Sequence, residues 1–281
     1  MKRTLMYLLV IFGFVFTAAA QQKVLFEPRD KQIVQNLLSK FPEGKNTATA
    51  ELTAKIGIEL LNTPYVAHTL EKEPEQLVLN LRELDCTTFA ENCLALARTV
   101  KSGVTTFEKF CAELQNLRYY NGEINNYTSR IHYFSDWIFE NSQRGFVNDV
   151  SGEIAQTPYP LNVNFMSTHP DSYRQLKSNN TFVKTIAEKE KQITLRKMFF
   201  IPEEKLAGVE PLLHDGDIVG ITTTINGMDV SHVGILIKKD GRVHLLHASS
   251  VLKKVVVSDE TLEDYLKGSK SVTGIMVARP L

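Results

Sequence analysis

Residues 231–249 read SHVGILIKKDGRVHLLHAS, and this stretch decides the fold of the C-terminal part of the chain. Two runs rich in Val, Ile and Leu flank an Asp-Gly pair, the pattern of a β-hairpin with a two-residue turn. Such a turn sets Gly234 opposite His247. Because opposed residues share a face, as do residues two apart along one strand, His232 and His247 then lie within reach of a ring-to-ring hydrogen bond. A three-residue turn would reverse the parity and bring His244 beside His232, and ordinary packing of two histidines is the alternative to a functional pair.

The segments outside this hairpin divide the chain into a helical part and a sheet. Three further short runs rich in Val and Ile read as strands, at 217–223, 253–257 and 271–278. Helical spacing of apolar residues occurs earlier, at 29–41, 47–61, 86–100, 107–117, 130–139 and 181–195, while 75–84 fits a short strand or a helix. Helices followed by an antiparallel sheet indicate the α+β class. Because such a sheet needs helices to cover its inner face, we expect one domain over residues 21–281.

The N-terminus has the pattern of a secretory signal peptide. Lys2 and Arg3 precede an almost uninterrupted apolar run over residues 4–16, and small residues follow up to Ala20. We expect cleavage after Ala20 and an exported mature protein, since an apolar run this short would span a bilayer poorly as an uncleaved anchor. No later segment is long and apolar enough to predict a membrane span.

Charge and composition say which partners to exclude. The chain has 281 residues with 32 basic and 32 acidic side chains, so its formal net charge is zero. No basic field is therefore predicted to recruit nucleic acid or an anionic membrane surface. A metal site is also disfavoured, because His244 and His247 point to opposite faces of their strand and no acidic residue lies nearby.

The cysteine count points to a free thiol. An exported chain with three cysteines leaves at least one unpaired, even if Cys93 and Cys111 form a bridge. Cys93 and Cys111 both read as small core residues. Cys86 instead opens the amphipathic helix at 86–100, where backbone N–H groups and the helix dipole are expected to lower its pKa and to hold an oxyanion. The alternative for Cys86 is a buried structural cysteine.

Three blocks together resemble a known family. Leu84-Asp85-Cys86-Thr87-Thr88-Phe89 at a helix start is followed by Ser231-His232-Val233-Gly234-Ile235 and by Leu246-His247-Ala248-Ser249. In this order they resemble the NlpC-type papain-like cysteine hydrolases of bacterial cell walls, and most closely the N-acetylmuramoyl-L-alanine amidase-like branch from exported proteins of Gram-negative bacteria. The resemblance runs from about residue 46 to the C-terminus. It implies a papain-like fold, with a helical N-terminal half packed on a C-terminal antiparallel sheet.

The resemblance also implies roles for individual residues. Cys86 would be the nucleophile, His232 the general base and acid, and His247 the residue that orients His232. Tyr65 matches a family tyrosine that helps to bind or polarise the substrate carbonyl, and Asp85 matches an acidic residue that meets a peptide amine in peptidase members. The substrate cleft would be lined by the stretch that contains Arg130, Asp136 and Trp137. Neither a metal nor an organic cofactor is implied.

The expected activity is therefore hydrolysis of the N-acetylmuramoyl-L-alanine amide bond of peptidoglycan or of muropeptides, through a thioester on sulfur. Two alternatives stay open: a γ-D-glutamyl endopeptidase acting on the stem peptide, and a non-catalytic exported binding protein. The resemblance places the protein in the periplasm of a Gram-negative bacterium, and we expect a monomer.

Overall fold

The computed structural model of the protein describes residues 24–281, so the predicted signal peptide at residues 1–20 lies outside the described part. The α-helices, in chain order, are α1 (Pro28–Ser39), α2 (Thr49–Glu59), α3 (Cys86–Ser102), α4 (Phe107–Arg118), α5 (Phe134–Gln143), α6 (Ser151–Ala155), α7 (Phe165–Thr168), α8 (Arg174–Lys177), α9 (Asn180–Thr194), α10 (Leu206–Val209) and α11 (Leu262–Lys267). The strands are β1 (Val24–Leu25), β2 (Leu77–Val78), β3 (Val147–Asp149), β4 (Thr157–Tyr159), β5 (Met198–Pro202), β6 (Ile218–Thr223), β7 (Val230–Lys239), β8 (Arg242–Ser249), β9 (Lys254–Val257) and β10 (Val272–Pro280).

Within residues 24–281, eight strands form one antiparallel sheet. Its order is β4-β5-β10-β6-β7-β8-β9, and β3 pairs with the far end of β10. The five strands predicted from sequence are all present, and β1 and β2 form a separate parallel pair. Four short strands were not predicted from the sequence, namely β1 near the N-terminus and β3, β4 and β5 in the middle of the chain. The mixed architecture of helices and an antiparallel sheet agrees with the predicted α+β class.

The hairpin of β7 and β8 has the predicted register. Lys239 pairs with Arg242 and Leu236 with Leu245, around a turn in which Asp240 and Gly241 both have positive φ, at 52° and 79°. Positive φ at both central residues is the conformation that Asp-Gly favours in a two-residue hairpin. The strand pairing from which a contact between His232 and His247 was predicted is therefore present.

Apolar side chains cover both faces of the sheet. On one face, residues such as Ile235 and Leu246 join the larger core beneath the N-terminal helices, together with Phe89 of α3. On the other face, Leu236 and Leu245 join a second core that includes residues of α10 and α11. Since neighbouring residues of a strand point to opposite faces, the near-continuous apolar runs of β7 and β8 are those of strands buried on both sides.

One predicted helix has different bounds in the structure. Apolar spacing predicts a helix over 130–139, but α5 begins at Phe134 and runs to Gln143. The end of α4 holds Arg130 and Ile131 instead. The Ile131 N–H donates to the Arg118 carbonyl at 2.9 Å, and the backbone of Arg130 forms an isolated antiparallel β-bridge with that of Tyr119. No helix within residues 24–281 is long and apolar enough to cross a membrane.

Candidate active site

Cys86 is the first residue of α3, as predicted. The helix begins with a reciprocal cap in which the Thr88 N–H donates to the Asp85 carboxylate at 2.8 Å and the Asp85 N–H donates to the Thr88 hydroxyl at 2.9 Å. This cap holds the first turn of the helix, and with it the thiol, in a defined position. All three cysteines are free thiols, so the Cys93–Cys111 bridge does not form in this structure.

The pKa of Cys86 differs from the expectation. Burial raises it to about 11, and the nearby Asp85 carboxylate also acts to raise it, while hydrogen bonds with the backbone of Val233 and with Thr87 act in the opposite direction. The helix terminus was expected to lower this pKa, and burial outweighs that effect. The resting group is therefore a thiol that needs a base to remove its proton.

His232 and His247 form the hydrogen-bonded pair that the hairpin parity predicts. His232 Nε2 lies 2.6 Å from His247 Nδ1, with the two rings nearly perpendicular at 85°. The register of β6 and β7 shifts beside His232, because Ile221 pairs with His232 but Thr222 pairs with Val230. Such a bulge re-aims the side chains next to it.

The two rings are neutral at physiological pH. Burial, followed by the proximity of His247, lowers the pKa of His232 to about 3, and burial lowers the pKa of His247 to about 4. His247 also packs edge-on against Tyr265, with ring centroids 5.6 Å apart. His244 stays outside this pair, since its Nδ1 lies 3.0 Å from the Ser258 carbonyl oxygen.

Tyr65 lies close to Cys86, the position that the resemblance implies for it. Burial raises its pKa, and the proximity of Cys86 and then of Asp85 raises it further. Its backbone is fixed between two segments: the Tyr65 N–H donates to the Lys253 carbonyl at 2.9 Å, and the next N–H donates to the Leu84 carbonyl at 3.1 Å. The phenol therefore keeps its proton and remains a hydrogen-bond donor near the thiol.

A cavity of about 540 Å³ opens next to Cys86. Cys86, Thr87 and His232 line one part of it, and aromatic and apolar side chains form much of the rest, among them Ile131, Phe134, Trp137, Phe165, Met166 and Met228. A volume of this size suits a small organic ligand or a sugar-sized group. Within residues 24–281, no cluster of three or more His, Cys, Asp or Glu side chains is placed to hold a metal ion.

The predicted cleft residues of the 130–137 stretch have different environments. Trp137 lines the cavity, its ring stacks on Phe134 at 5.7 Å, and its buried Nε1–H has no hydrogen-bond partner among residues 24–281. Arg130 and Asp136, by contrast, do not line the cavity. The guanidinium of Arg130 binds Glu71 at 3.1 Å and Glu75 at 3.0 Å.

Asp136 accepts hydrogen bonds from Tyr120 and from Arg196 and is fully buried. Both Arg130 and Asp136 are thus held in buried ion pairs behind the cavity wall. Sequence spacing places a residue on a segment, but it does not tell which side chains of that segment turn toward the cavity.

Several residues that line the cavity were not predicted from the sequence. Asp229 lies on the wall, just before the His232 block, and its carboxylate accepts the Ser135 N–H of α5 at 2.7 Å. The signal in the sequence that could have pointed to Asp229 was its acidic side chain shortly before His232, the candidate base. Glu71 also lines the cavity, but it comes from a loop, so only the folded chain brings it there, whereas His132 lies in the 130–137 stretch that was expected to line the cleft.

Comparison with known proteins identifies relatives over most of the chain. Residues 55–275 match the family described as N-acetylmuramoyl-L-alanine amidase-like. An N-acetylmuramoyl-L-alanine amidase from Bacteroides uniformis has a similar structure, with 40% sequence identity, a TM-score of 0.80, and coverage of 83% of this chain and 98% of that chain. A comparison with curated protein sequences found no match.

Two further solved structures are similar. A Bacteroides fragilis protein provisionally named a xylanase is 41% identical, with a TM-score of 0.77 and coverage of 81% of this chain and 99% of that chain. A Legionella pneumophila protein is 22% identical, with a TM-score of 0.69 and coverage of 90% and 95%, a likeness that concerns the fold alone.

Proposed function

Because the chain belongs to the N-acetylmuramoyl-L-alanine amidase-like family, we propose that it is a cysteine-dependent hydrolase that cleaves the amide between the muramoyl lactyl group and L-alanine in peptidoglycan or its fragments. One observation carries the mechanism: His232, hydrogen-bonded to His247 at 2.6 Å, lines the same cavity as Cys86. A helix-terminal thiol beside histidines from two adjacent strands is also our reason to assign the fold to the NlpC-type papain-like class.

His232 acts as the general base. To accept the thiol proton at Nδ1, its Nε2 must carry the other proton and donate it to Nδ1 of His247, so both rings start neutral. Burial penalises a lone thiolate and a lone imidazolium, but the two charges formed side by side stabilise each other. The proton therefore moves from Cys86 to His232 as the sulfur attacks the lactyl carbonyl carbon.

The remaining steps return every group to its starting state. Attack forms a carbon–sulfur bond and an oxyanion, for which the backbone N–H of Cys86 and the Tyr65 hydroxyl are the candidate donors. Imidazolium at His232 then protonates the L-alanine nitrogen, the carbon–nitrogen bond breaks, and the peptide leaves as an amine. Water, deprotonated by His232, hydrolyses the thioester and restores the thiol.

A glycosidase is the second activity suggested by a relative's name. Most glycosidases use two carboxyl groups that flank the scissile bond. Three carboxylates on the cavity wall each have a partner: Glu71 pairs with Arg130 at 3.1 Å, Glu91 accepts a hydrogen bond from Arg118 at 2.8 Å, and Asp229 accepts the Ser135 N–H at 2.7 Å. This engagement favours the thiol as the reacting group.

The stem-peptide endopeptidase and the non-catalytic binder are tested by one digestion. Purified muropeptides are incubated with the wild type, with Cys86→Ala, and with Cys111→Ala as a matched control that removes a thiol outside the cavity. We expect wild type and Cys111→Ala to release intact peptides that begin with L-alanine, and Cys86→Ala to be slower by at least about 1,000-fold. An L-Ala-D-Glu dipeptide, detected by mass spectrometry, would instead identify the endopeptidase, and full activity of Cys86→Ala would refute the cysteine mechanism.

Export to the periplasm completes the proposal, since muropeptides arise at the cell wall. It rests on Lys2, Arg3 and the apolar run that ends before Ala20. N-terminal sequencing of protein from a periplasmic fraction tests it: a mature start at Gln21 is expected, and an intact Met1 in the cytoplasmic fraction would contradict it.

A further inference from the structure

The short helix α11 brings an aromatic ring against His247, the second histidine of the candidate active site. His247 lies two residues after Leu245 on β8, so both side chains point to the face of the sheet that carries the second core. On that face Tyr265 of α11 packs against the core, and its ring meets the ring of His247 edge-on. The ring centroids are 5.6 Å apart and the ring planes are inclined by 83°, the perpendicular arrangement that aromatic pairs favour.

The helix that carries Tyr265 is fixed to the same part of the sheet. Leu262 and Leu266, one turn apart on α11, are buried in the second core. Between them, Glu263 accepts a hydrogen bond at 2.9 Å from Arg242, the first residue of β8. The helix therefore holds Tyr265 in a defined position relative to β8, the strand that also carries the histidine.

His247 itself has few other constraints on its orientation. Its single hydrogen bond in the part of the chain that the structure describes joins Nδ1 to Nε2 of His232, at 2.6 Å. The torsion that turns an imidazole ring about its Cβ–Cγ bond is broad, so the side chain alone does not select one orientation. A half-turn about this bond would put a carbon in the place of Nδ1, and the N–H of His232 would lose its acceptor. The orientation that the proposed mechanism needs therefore depends on what packs against the ring.

Tyr265 is suited to hold the imidazole rather than to bind substrate. It is not among the described residues that line the cavity, and its hydroxyl has no hydrogen bond within residues 24–281. Burial raises the pKa of Tyr265, and the proximity of Glu260 and then of Cys86 raises it further, so the phenol keeps its proton. The ring therefore gives the imidazole an uncharged wall, which restricts its rotation without competing for its nitrogens.

We propose that Tyr265 is a positioning residue, whose ring holds the imidazole of His247 in the orientation in which Nδ1 accepts the hydrogen bond from His232. This inference rests on the proposed cysteine mechanism, in which His232 takes the thiol proton. The hydrogen bond between the two histidines strengthens when His232 becomes charged, so it stabilises the thiolate and imidazolium that form together. Loss of the Tyr265 ring should therefore slow the reactions of Cys86 by about two- to tenfold, the range that corresponds to one aromatic pair.

The test compares two variants of the mature protein: Tyr265→Phe keeps the ring, and Tyr265→Leu removes it. Alkylation of Cys86 by iodoacetamide, located by peptide mass mapping, measures the reactivity of the thiol without any peptidoglycan substrate. Hydrolysis of N-acetylmuramoyl-L-Ala-D-isoglutamine gives kcat and KM. Tyr265→Phe is expected to match wild type in alkylation rate, kcat and KM. Tyr265→Leu should lower the alkylation rate and kcat by about two- to tenfold and leave KM unchanged, because Tyr265 does not line the cavity.

A matched control removes a different side chain of the same helix. Leu266→Ala weakens the packing of α11 in the second core, which urea unfolding will show, but it leaves the Tyr265 ring in place. Its alkylation rate and kcat are expected to equal those of wild type. The ¹⁵N shifts of His247 report the orientation directly. Wild type and Tyr265→Phe should show one neutral tautomer, with the proton on Nε2, whereas Tyr265→Leu should show a mixture of the two.

The outcomes distinguish this inference from the proposed function. Unchanged alkylation and kcat in Tyr265→Leu, or a single tautomer of His247 in that variant, would show that the ring does not position the imidazole. An equal loss in Tyr265→Phe would assign the effect to the hydroxyl, and an equal loss in Leu266→Ala would assign it to helix packing in general, and either result overturns the inference. If alkylation responds to the variants as expected but wild type does not cleave the lactyl amide, the positioning role stands and the amidase function falls.

Discussion

Replacing His247 by glutamine is expected to change how the stability of the protein depends on pH. The pKa of His247 falls from 6.5 to about 4 on folding, because the ring is buried and only 4% exposed. A depressed pKa means that the unfolded chain takes up a proton before the folded one does. The contribution of His247 to stability is therefore complete above pH 6.5 and is lost as the pH falls toward 4.

The magnitude follows from the size of this pKa difference. Each pH unit below 6.5 costs about 1.4 kcal/mol per histidine until the folded form also takes up the proton. Between pH 7 and pH 5 the loss amounts to about 2 kcal/mol for His247. The glutamine variant lacks this loss, so its free energy of unfolding should fall by about 2 kcal/mol less than that of wild type over the same range.

Urea unfolding at pH 7, 6 and 5 measures the difference. Trp137 is the single tryptophan of the chain and is buried in the cavity wall, so its fluorescence reports unfolding. His214→Gln, which removes an exposed imidazole, is the control, and its curve should run parallel to that of wild type. The assignment of a buried neutral ring is refuted if the free energies of unfolding of wild type and His247→Gln change in parallel with pH. Parallel here means agreement within roughly 0.5 kcal/mol, the effect typical of a neutral surface substitution.

Three further substitutions test the cavity wall and the framework behind it. Trp137→Phe keeps an aromatic ring and removes the unpartnered Nε1–H. Its KM should rise about fivefold with kcat unchanged, because the substrate loses one hydrogen-bond donor. An unchanged KM would mean that the indole N–H binds no substrate. Arg130→Ala leaves Glu75 buried without its counter-charge. The free energy of unfolding, measured by urea titration, should fall by about 3 to 5 kcal/mol. A loss below about 1 kcal/mol would show that the ion pair adds little to stability. Gly216→Ala should cost about 3 kcal/mol in the same assay, because φ is +86° and the new Cβ would lie 1.7 Å from a carbonyl oxygen of α2. Gly145→Ala is its control, since φ is also positive there but no atom lies within 4 Å, and equal losses for the two variants would contradict the predicted clash.

The local features of this protein could be predicted from its sequence. The Asp-Gly pair set the turn, the turn set the register of β7 and β8, and the register placed His232 and His247 on one face. The start of α3 at Cys86 was equally predictable, since Asp85 is a strong helix cap followed by a clear apolar stripe. Each of these depends on interactions between residues close in the chain.

Tertiary structure alone decided which side chains surround the thiol. The cavity adds Glu71, Met166 and Asp229, which lie far apart along the chain, and no periodicity encodes such contacts. Burial likewise reversed the expected direction of the Cys86 pKa, because the degree of desolvation depends on everything that packs around the helix end. Arg130 turned toward Glu75 instead of the cavity for the same reason.

The position of Cys86 at a helix start and the contact between the two histidines were therefore predictable from short-range pattern, whereas the shape and charge of the space around them were not. Backbone geometry determines a hairpin register or a helix cap within one short stretch of chain. The cavity, and the ring of Tyr265 beside His247, result from segments that meet only when the sheet and the helices pack together.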